Sequence, residues 1–290
     1  MTGATLPTLD LVVATVDRTA PLEALLDALA AQTHRGFRVL VVDQNDDERV
    51  QRALACHPSL DALHLRSARG LSRARNVALG HVAAPLVAFP DDDCMYPPDL
   101  LERVARRFAG DDDVDGLSGR AEAAGGEAAG RWPSAPARIT TDTVWHTANS
   151  HPIFLRRALV ERVGGFDERL GLGAGTPWSS GEEIDYLVRA IQLGARVEYD
   201  PAIVITHPVK SVSEAELVAL GRRDGAGVGY VLAANAYPAS AVGRMLLRPA
   251  LGALATLALL DTTRARFHAA TLGGRLQGLR AGRRRVVTPP

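Results

Sequence analysis

The chain has 290 residues, with 33 basic and 33 acidic side chains and a formal net charge of zero, enough length for one large domain or two small ones around a full hydrophobic core. A neutral total gives no ground for a nucleic-acid partner, and none is expected. The two cysteines, Cys56 and Cys94, exclude a disulfide framework and a cysteine-based zinc site and suit a reducing, cytoplasmic compartment. Met1 to Leu9 lacks the basic and long apolar regions of a signal peptide, and no apolar stretch is expected to reach the length of a membrane span. Charge is unevenly distributed: after Ala241 arginines are frequent and Asp261 is the only acidic residue.

In chain order, Leu9 to Thr15 reads as a buried strand, Leu22, Leu25, Leu26 and Leu29 mark a helix face, and Phe37 to Asp43 reads as the next strand. A helical crossover makes the two strands parallel. The intervening turn, Thr15 to Pro21, has neither Gly-x-Gly-x-x-Gly nor Gly-Lys-Ser/Thr, which argues against a dinucleotide fold and a P-loop. Asp43 ends its strand before the polar Gln44-Asn45-Asp46-Asp47; its carboxylate suits a ribose or base contact, or equally a plain loop and helix cap. Leu63 to Leu65 suggests a third strand. The helix that follows turns Leu71, Ala74, Val77 and Ala78 inward, takes Gly80 as its C-cap, and carries Arg69, Arg73 and Arg75 on or near its first turns.

Ala84 to Phe89 is a short apolar run that delivers Asp91-Asp92-Asp93 at its C-terminal end, and Pro97-Pro98-Asp99 then starts a helix. Three adjacent carboxylates resist being ionised together, and an oxygen-preferring divalent cation is their natural neutraliser. At the carboxyl edge of a parallel sheet such a cation would lie where open α/β folds bind ligands. A second acidic run, Asp111 to Asp115, follows a helix end and reads as a solvated loop at the opposite edge. Ala121 to Pro136, rich in Ala, Gly and Pro, is a connector or a finger.

Gly164 to Gly175 is too glycine-rich for a core element, and Trp178 lies just beyond it. The helix from Gly181 to Gly194 has a buried stripe of Ile184, Leu187, Val188 and Ile191, an Asp185–Arg189 pair, and Glu182 and Glu183 in its first turn. Carboxylates there are ordinarily partners of the helix dipole. Arg196 to Tyr199 and Ala202 to Thr206 return to the sheet and end at His207-Pro208. Beyond Ser213 the pattern is helical. Met245 to Leu260 is apolar but interrupted by Arg248 and Pro249, and Arg283-Arg284-Arg285 close the basic tail. Apolar surface beside a cationic face suits peripheral contact with an anionic membrane; a helical cap or a homodimer contact is the competing account.

The order of strand-Thr-x-Asp, strand-ending Val-Val-Asp, Ala-Arg-Asn on a helix and Phe-Pro-Asp-Asp-Asp resembles a family 2 glycosyltransferase of the GT-A fold. The resemblance implies an α/β fold with a largely parallel central sheet, helices on both faces and a C-terminal helical extension. Within it, residues 1–110 would bind the nucleotide sugar, 111–212 the acceptor, and 213–290 form the extension. It further implies inverting transfer from a nucleotide-diphosphate sugar to a glycan or lipid-linked acceptor at the inner face of the plasma membrane. Thr15, Asp17, Asp43, Arg75, Asp91 and Asp92 would contact the donor. Asp93, with Asp91 and His207, would hold Mn²⁺ or Mg²⁺. Asn149, Ser150, Trp178 and Glu182 would line the acceptor pocket. Glu183 takes the place of the family's catalytic aspartate, one methylene longer, and is the expected base, with Glu182 its neighbour in reserve. A nucleotidyltransferase would need a glycine-rich basic loop after the first strand, and an aspartyl phosphatase an Asp-x-Asp on it; neither is present. A non-catalytic nucleotide- or glycan-binding scaffold is the remaining rival.

Overall fold

The computed structural model describes residues 5–123, 125–126, 132–148, 151–208 and 212–286, with side chains to residue 283. The chain forms two compact units. The first comprises Met1–Arg69, Arg73–Gly165 and Tyr186–Val209; the second comprises Gly70–Ser72, Phe166–Asp185 and Lys210–Pro290.

The first unit is a mixed α/β body around an eight-stranded sheet. Its strands are β1 (Leu9–Thr15), β2 (Phe37–Asp43), β3 (Ala62–Arg66), β4 (Leu86–Ala88), β5 (Gly116–Glu122), β6 (Ala137–Arg138), β7 (Ile153–Arg156) and β8 (Val197–Thr206), in the spatial order β3-β2-β1-β4-β7-β5-β8-β6. β3, β2, β1 and β4 are mutually parallel. The crossovers are α1 (Ala20–Ala30), α2 (Arg49–Ala55) and α3 (Leu71–Leu79). Side chains alternate across a strand, so Leu9, Leu11 and Val13 of β1 and Val39 and Val41 of β2 share one face. They join Leu22, Leu25, Leu26 and Leu29 of α1 and the apolar side of α4 (Leu100–Ala109) in one core. The other face buries Val12, Leu40 and Val42, and also Asp10, which accepts bonds from Arg38 and from the backbone N–H groups of Ala83 and Ala84.

Three features depart from the local reading. β7 enters antiparallel between β4 and β5, following the short helix α5 (Val144–Thr147) and preceding α6 (Arg157–Val163). The two segments expected around residues 196–206 are one strand, β8, whose pairing with β5 shifts register between Ser118 and Arg120. Gly119 lies at that shift, where a Cβ would strike the Ile203 side chain. Gly80 lacks the left-handed backbone of a glycine cap, whereas Gly194, after α7 (Glu182–Gln192), has it with φ 87°.

The second unit contains α8 (Glu214–Ala234), α9 (Ala239–Ala258) and α10 (Thr262–Val286). Ser213 and Glu216 form a capping box that starts α8. α8 and α10 approach to backbone contact through Gly225 and Gly229 on one and Gly274, Gly278 and Gly282 on the other, while Gly221, one turn earlier, makes room for the Phe267 and Thr271 side chains. α9 continues through Arg248 and Pro249. Its 20 residues, with mean hydropathy 1.2, make it long and apolar enough to cross a membrane by length and composition, contrary to the sequence expectation.

Candidate functional site

The sheet topology explains why residues far apart in sequence converge in the first unit. β1, β2 and β4 point the same way, so Thr15, Asp43 and the Asp91-Asp92-Asp93 run all leave at one edge. Asp91 extends that edge by bridging in parallel to Ala14. β7 is antiparallel to β4, so the residues before its first position, including His151, lie at that same edge. β8 runs parallel to β5, and β5 antiparallel to β7. His207, just past the end of β8, therefore arrives there too. The chain order reverses between β1 and β4, where α/β sheets open a crevice.

Asp91, His151 and His207 offer ligand atoms within 4.8 Å of one another. The His151 and His207 rings stack at 4.7 Å between centroids, 12° from parallel. His151 Nδ1 is 3.4 Å from Asp91 Oδ2, and its buried Nε2 has no hydrogen-bond partner among the described residues. Tyr96 Oη, donating to the His151 carbonyl at 3.0 Å, fixes the backbone there. The backbone exchange between Met95 and Thr206, together with the bond from His207 N to Glu122 O, fixes His207. His207 Nε2 is 3.1 Å from Asp93 Oδ1. A buried imidazole with one orphaned nitrogen, its other nitrogen near a carboxylate and its face stacked on a second imidazole, is a group that a divalent transition-metal ion would satisfy.

The other carboxylates are held by cations and hydroxyls. Arg18 reaches Asp92 at 2.9 Å and Asp93 at 2.5 Å, and Thr15 Oγ1 donates to Asp92 at 2.8 Å. Burial pushes the Asp92 carboxyl above the ordinary carboxylate range, against the opposing pull of Thr15 and Arg18. Arg75 is almost fully buried, 3.3 Å from Asp91 and over the Phe89 ring. Asp17 has φ 57°, donates its backbone N–H to Asn45 Oδ1 and pairs with Arg69. Asp43 is fully buried: Asn45 donates twice to Oδ1, and Oδ2 meets His64 and Arg66. It acts as the anchor of a polar loop. Cys94 is also buried, which raises its thiol well above the usual range and leaves it inert. No local pattern marks His151 as a ligand in the sequence; the signal it offers is the His-Pro pair that it shares with His207-Pro208, each beside a strand.

In the second unit, Glu182 is buried and Glu183 half-buried at the start of α7. Ser72 donates to the Leu170 carbonyl at 2.7 Å and Leu71 N to Leu172 O, which hold the glycine-rich loop. A Cβ at Gly171 would crowd Ser72 Oγ at 2.9 Å and the Glu182 carboxyl carbon at 3.4 Å. Asp185 is fully buried and accepts from Asn235. Trp178 stacks on Tyr230 at 5.6 Å, so one ring face is covered, and its buried Nε1 has no hydrogen-bond partner among the described residues. Tyr230 in turn donates to Asp167. Asn149 and Ser150 lie outside the described residues.

The family model described as Glycosyl transferase family 2 matches residues 10–162. Glycosyltransferase AglE of Haloferax volcanii is 25% identical over 222 residues, 73% of this chain and 70% of that protein. Pre-mycofactocin glycosyltransferase of Mycobacterium tuberculosis is 27% identical over 60% of this chain and 38% of its own length. Among solved structures, the mannosyltransferase PcManGT from Pyrobaculum calidifontis, in complex with GDP-Man and Mn²⁺, aligns with a TM-score of 0.64 at 19% identity. The alignment covers 95% of this chain and 88% of that one. S. aureus TarS 1–349 in complex with UDP aligns with a TM-score of 0.60 at 18% identity, covering 93% and 90%. These likenesses place the chain in the GT-A fold.

Proposed function

Since the chain belongs to glycosyl transferase family 2, and is thus a glycosyltransferase, we propose that it moves a sugar from a nucleotide-diphosphate donor to a glycan or lipid-linked hydroxyl with inversion. The convergence of Asp91, His151 and His207 at the carboxyl edge of the sheet is the observation that carries this reading. Those three side chains would hold a divalent cation, with Asp93 beside His207. Two imidazoles in the set favour Mn²⁺ over Mg²⁺, which prefers an all-oxygen shell. When bound, the ion supplies charge neutralisation for a diphosphate leaving group.

The chain's own residues would do the rest. Thr15 and Arg18 hold Asp92 and Asp93 in place, and Asp17 and the loop anchored by Asp43 would meet the nucleoside. Arg75, locked between Asp91 and Phe89, would keep the Asp91 carboxylate oriented. Glu183 is the more accessible of the two glutamates and would take the proton of the attacking acceptor hydroxyl, help worth roughly a hundred to ten thousand fold. Trp178, with one face on Tyr230, would present its edge or other face to the acceptor, beside Glu182.

A panel of nucleotide-diphosphate sugars incubated with the full chain, Mn²⁺ and simple glycoside acceptors tests the proposal. Proton NMR of the newly formed anomeric centre should show inversion. A product that keeps the donor configuration would overturn the single displacement.

A further inference from the structure

The second unit carries an exposed apolar ridge that ends in a wedge. On α9, Leu247, Leu251, Leu254 and Leu257 follow one another at helical spacing and are 54% to 66% exposed. The turn that leads into α10 then places Leu259 and Leu260 at 80% and 85% exposure. Leu260 adopts the left-handed region with φ 59°, where a leucine costs energy that glycine or asparagine would avoid. Two leucines at the tip of a strained turn, fully presented to water, need a partner to account for them.

The inner side of α9 is already committed. Ala241 and Pro249 are buried, Gly252 meets the ring of His268, and Arg275 donates to the Met245 carbonyl. The outer ridge is flanked by cations. Residues 239–285 contain nine arginines and one acidic residue, Asp261, a formal +8 on a chain whose total is zero. Arg248, Arg266 and Arg280 are exposed and make no ion pair among the described residues. Asp261 is spent locally, capping Arg264 N at 2.9 Å and pairing with its guanidinium at 3.4 Å.

Charge decides between the candidate occupants. A two-fold contact with a second copy buries the same patch against itself and brings Arg248 and Arg266 toward their own equivalents. An anionic lipid surface complements the leucines and the arginines together. A spanning helix is disfavoured, because α9 is packed along α10, whose arginines would have to follow it into hydrocarbon. We propose that the α9–α10 hairpin docks the protein on an anionic bilayer, with Leu254, Leu257, Leu259 and Leu260 entering the acyl boundary and Arg248, Arg264 and Arg266 at the headgroups. The inference stands on the second unit alone and does not depend on the transfer reaction.

The test is flotation of the full chain with phosphatidylcholine vesicles, with and without a third of phosphatidylglycerol. Binding should require the anionic lipid and weaken with salt. Leu259→Ser/Leu260→Ser should lower the partition coefficient by roughly tenfold or more. Arg264→Gln/Arg266→Gln should lower it by about tenfold and flatten the salt dependence. Circular dichroism of both variants should match the parent. Several results would overturn the proposal: no flotation of the parent, flotation unchanged by the leucine pair, or resistance to alkaline carbonate that marks a spanning helix. So would a parent dimer in sedimentation that the leucine variant turns into a monomer.

Discussion

Gly278→Ala tests the backbone contact between α8 and α10 that organises the second unit. A Cβ at Gly278 would strike the Ala226 carbonyl oxygen and stand 2.6 Å from Tyr230 N. Both are backbone atoms of a helix, so neither can swing aside as a side-chain end would. Overpacking of this kind costs about 3 kcal/mol at its upper range, and the better helix propensity of alanine returns about 1 kcal/mol, leaving a net loss of about 2 kcal/mol. Gly273 provides the control one turn away on the same helix. Among the described residues nothing lies within 4 Å of its Cβ position, so Gly273→Ala should gain up to about 1 kcal/mol by propensity alone. Urea unfolding of both variants, followed by far-ultraviolet circular dichroism and by the fluorescence of Trp178 on Tyr230, should give shifts of opposite sign. A Gly278→Ala protein as stable as Gly273→Ala would refute the close-packed crossing.

The remaining predictions concern the site and its supports. Glu183→Gln should lower kcat by roughly a hundred to ten thousand fold while donor affinity, measured by calorimetry, stays within a factor of about two of the parent. His151→Ala should weaken Mn²⁺ binding by tenfold or more, on the order seen when a metal site loses an imidazole or its support, and titration of the protein with Mn²⁺ alone reads this directly. Ser213→Ala should destabilise α8 at neutral pH, and the loss should shrink in acid. The Glu216 carboxyl is held below its usual range by the Ser213 side chain and then its backbone N–H. The capping interaction is therefore present above the unfolded pKa of Glu216 and fades as pH falls through the lower folded one. Urea midpoints across that range check it.

What could be read from the chain was what local patterns determine. β1 and β2 have the anticipated bounds, Leu9–Thr15 and Phe37–Asp43, because an apolar run, a helical crossover and a second run define a parallel pair without reference to anything distant. The Asp91-Asp92-Asp93 run at the end of β4 was legible for the same reason. β7 was not, since an antiparallel strand inserted between β4 and β5 is set by pairing across the sheet. His151 fell with it: its partner Asp91 lies sixty residues earlier, and an isolated histidine has no periodicity to betray it. Asp43 was seen at its strand end, but its complete burial depends on Asn45, His64 and Arg66 meeting it together. Arg248-Pro249 was read as an interruption, yet α9 passes through it because α10 packs along the inner side.

Cation-assisted transfer from a nucleotide-diphosphate sugar is read by nucleoside diphosphate release coupled to product formation. The parent and Glu183→Gln are assayed with the donor that turns over, in Mn²⁺, after chelation and after Mn²⁺ is restored. Transfer by the parent should be lost on chelation and recovered on restoration, while the variant in Mn²⁺ should transfer at roughly a hundredth of the parent's rate or less. Undiminished transfer in chelator would contradict the role given to Asp91, His151 and His207, and tight nucleotide binding without product under every condition would make the protein a binding scaffold.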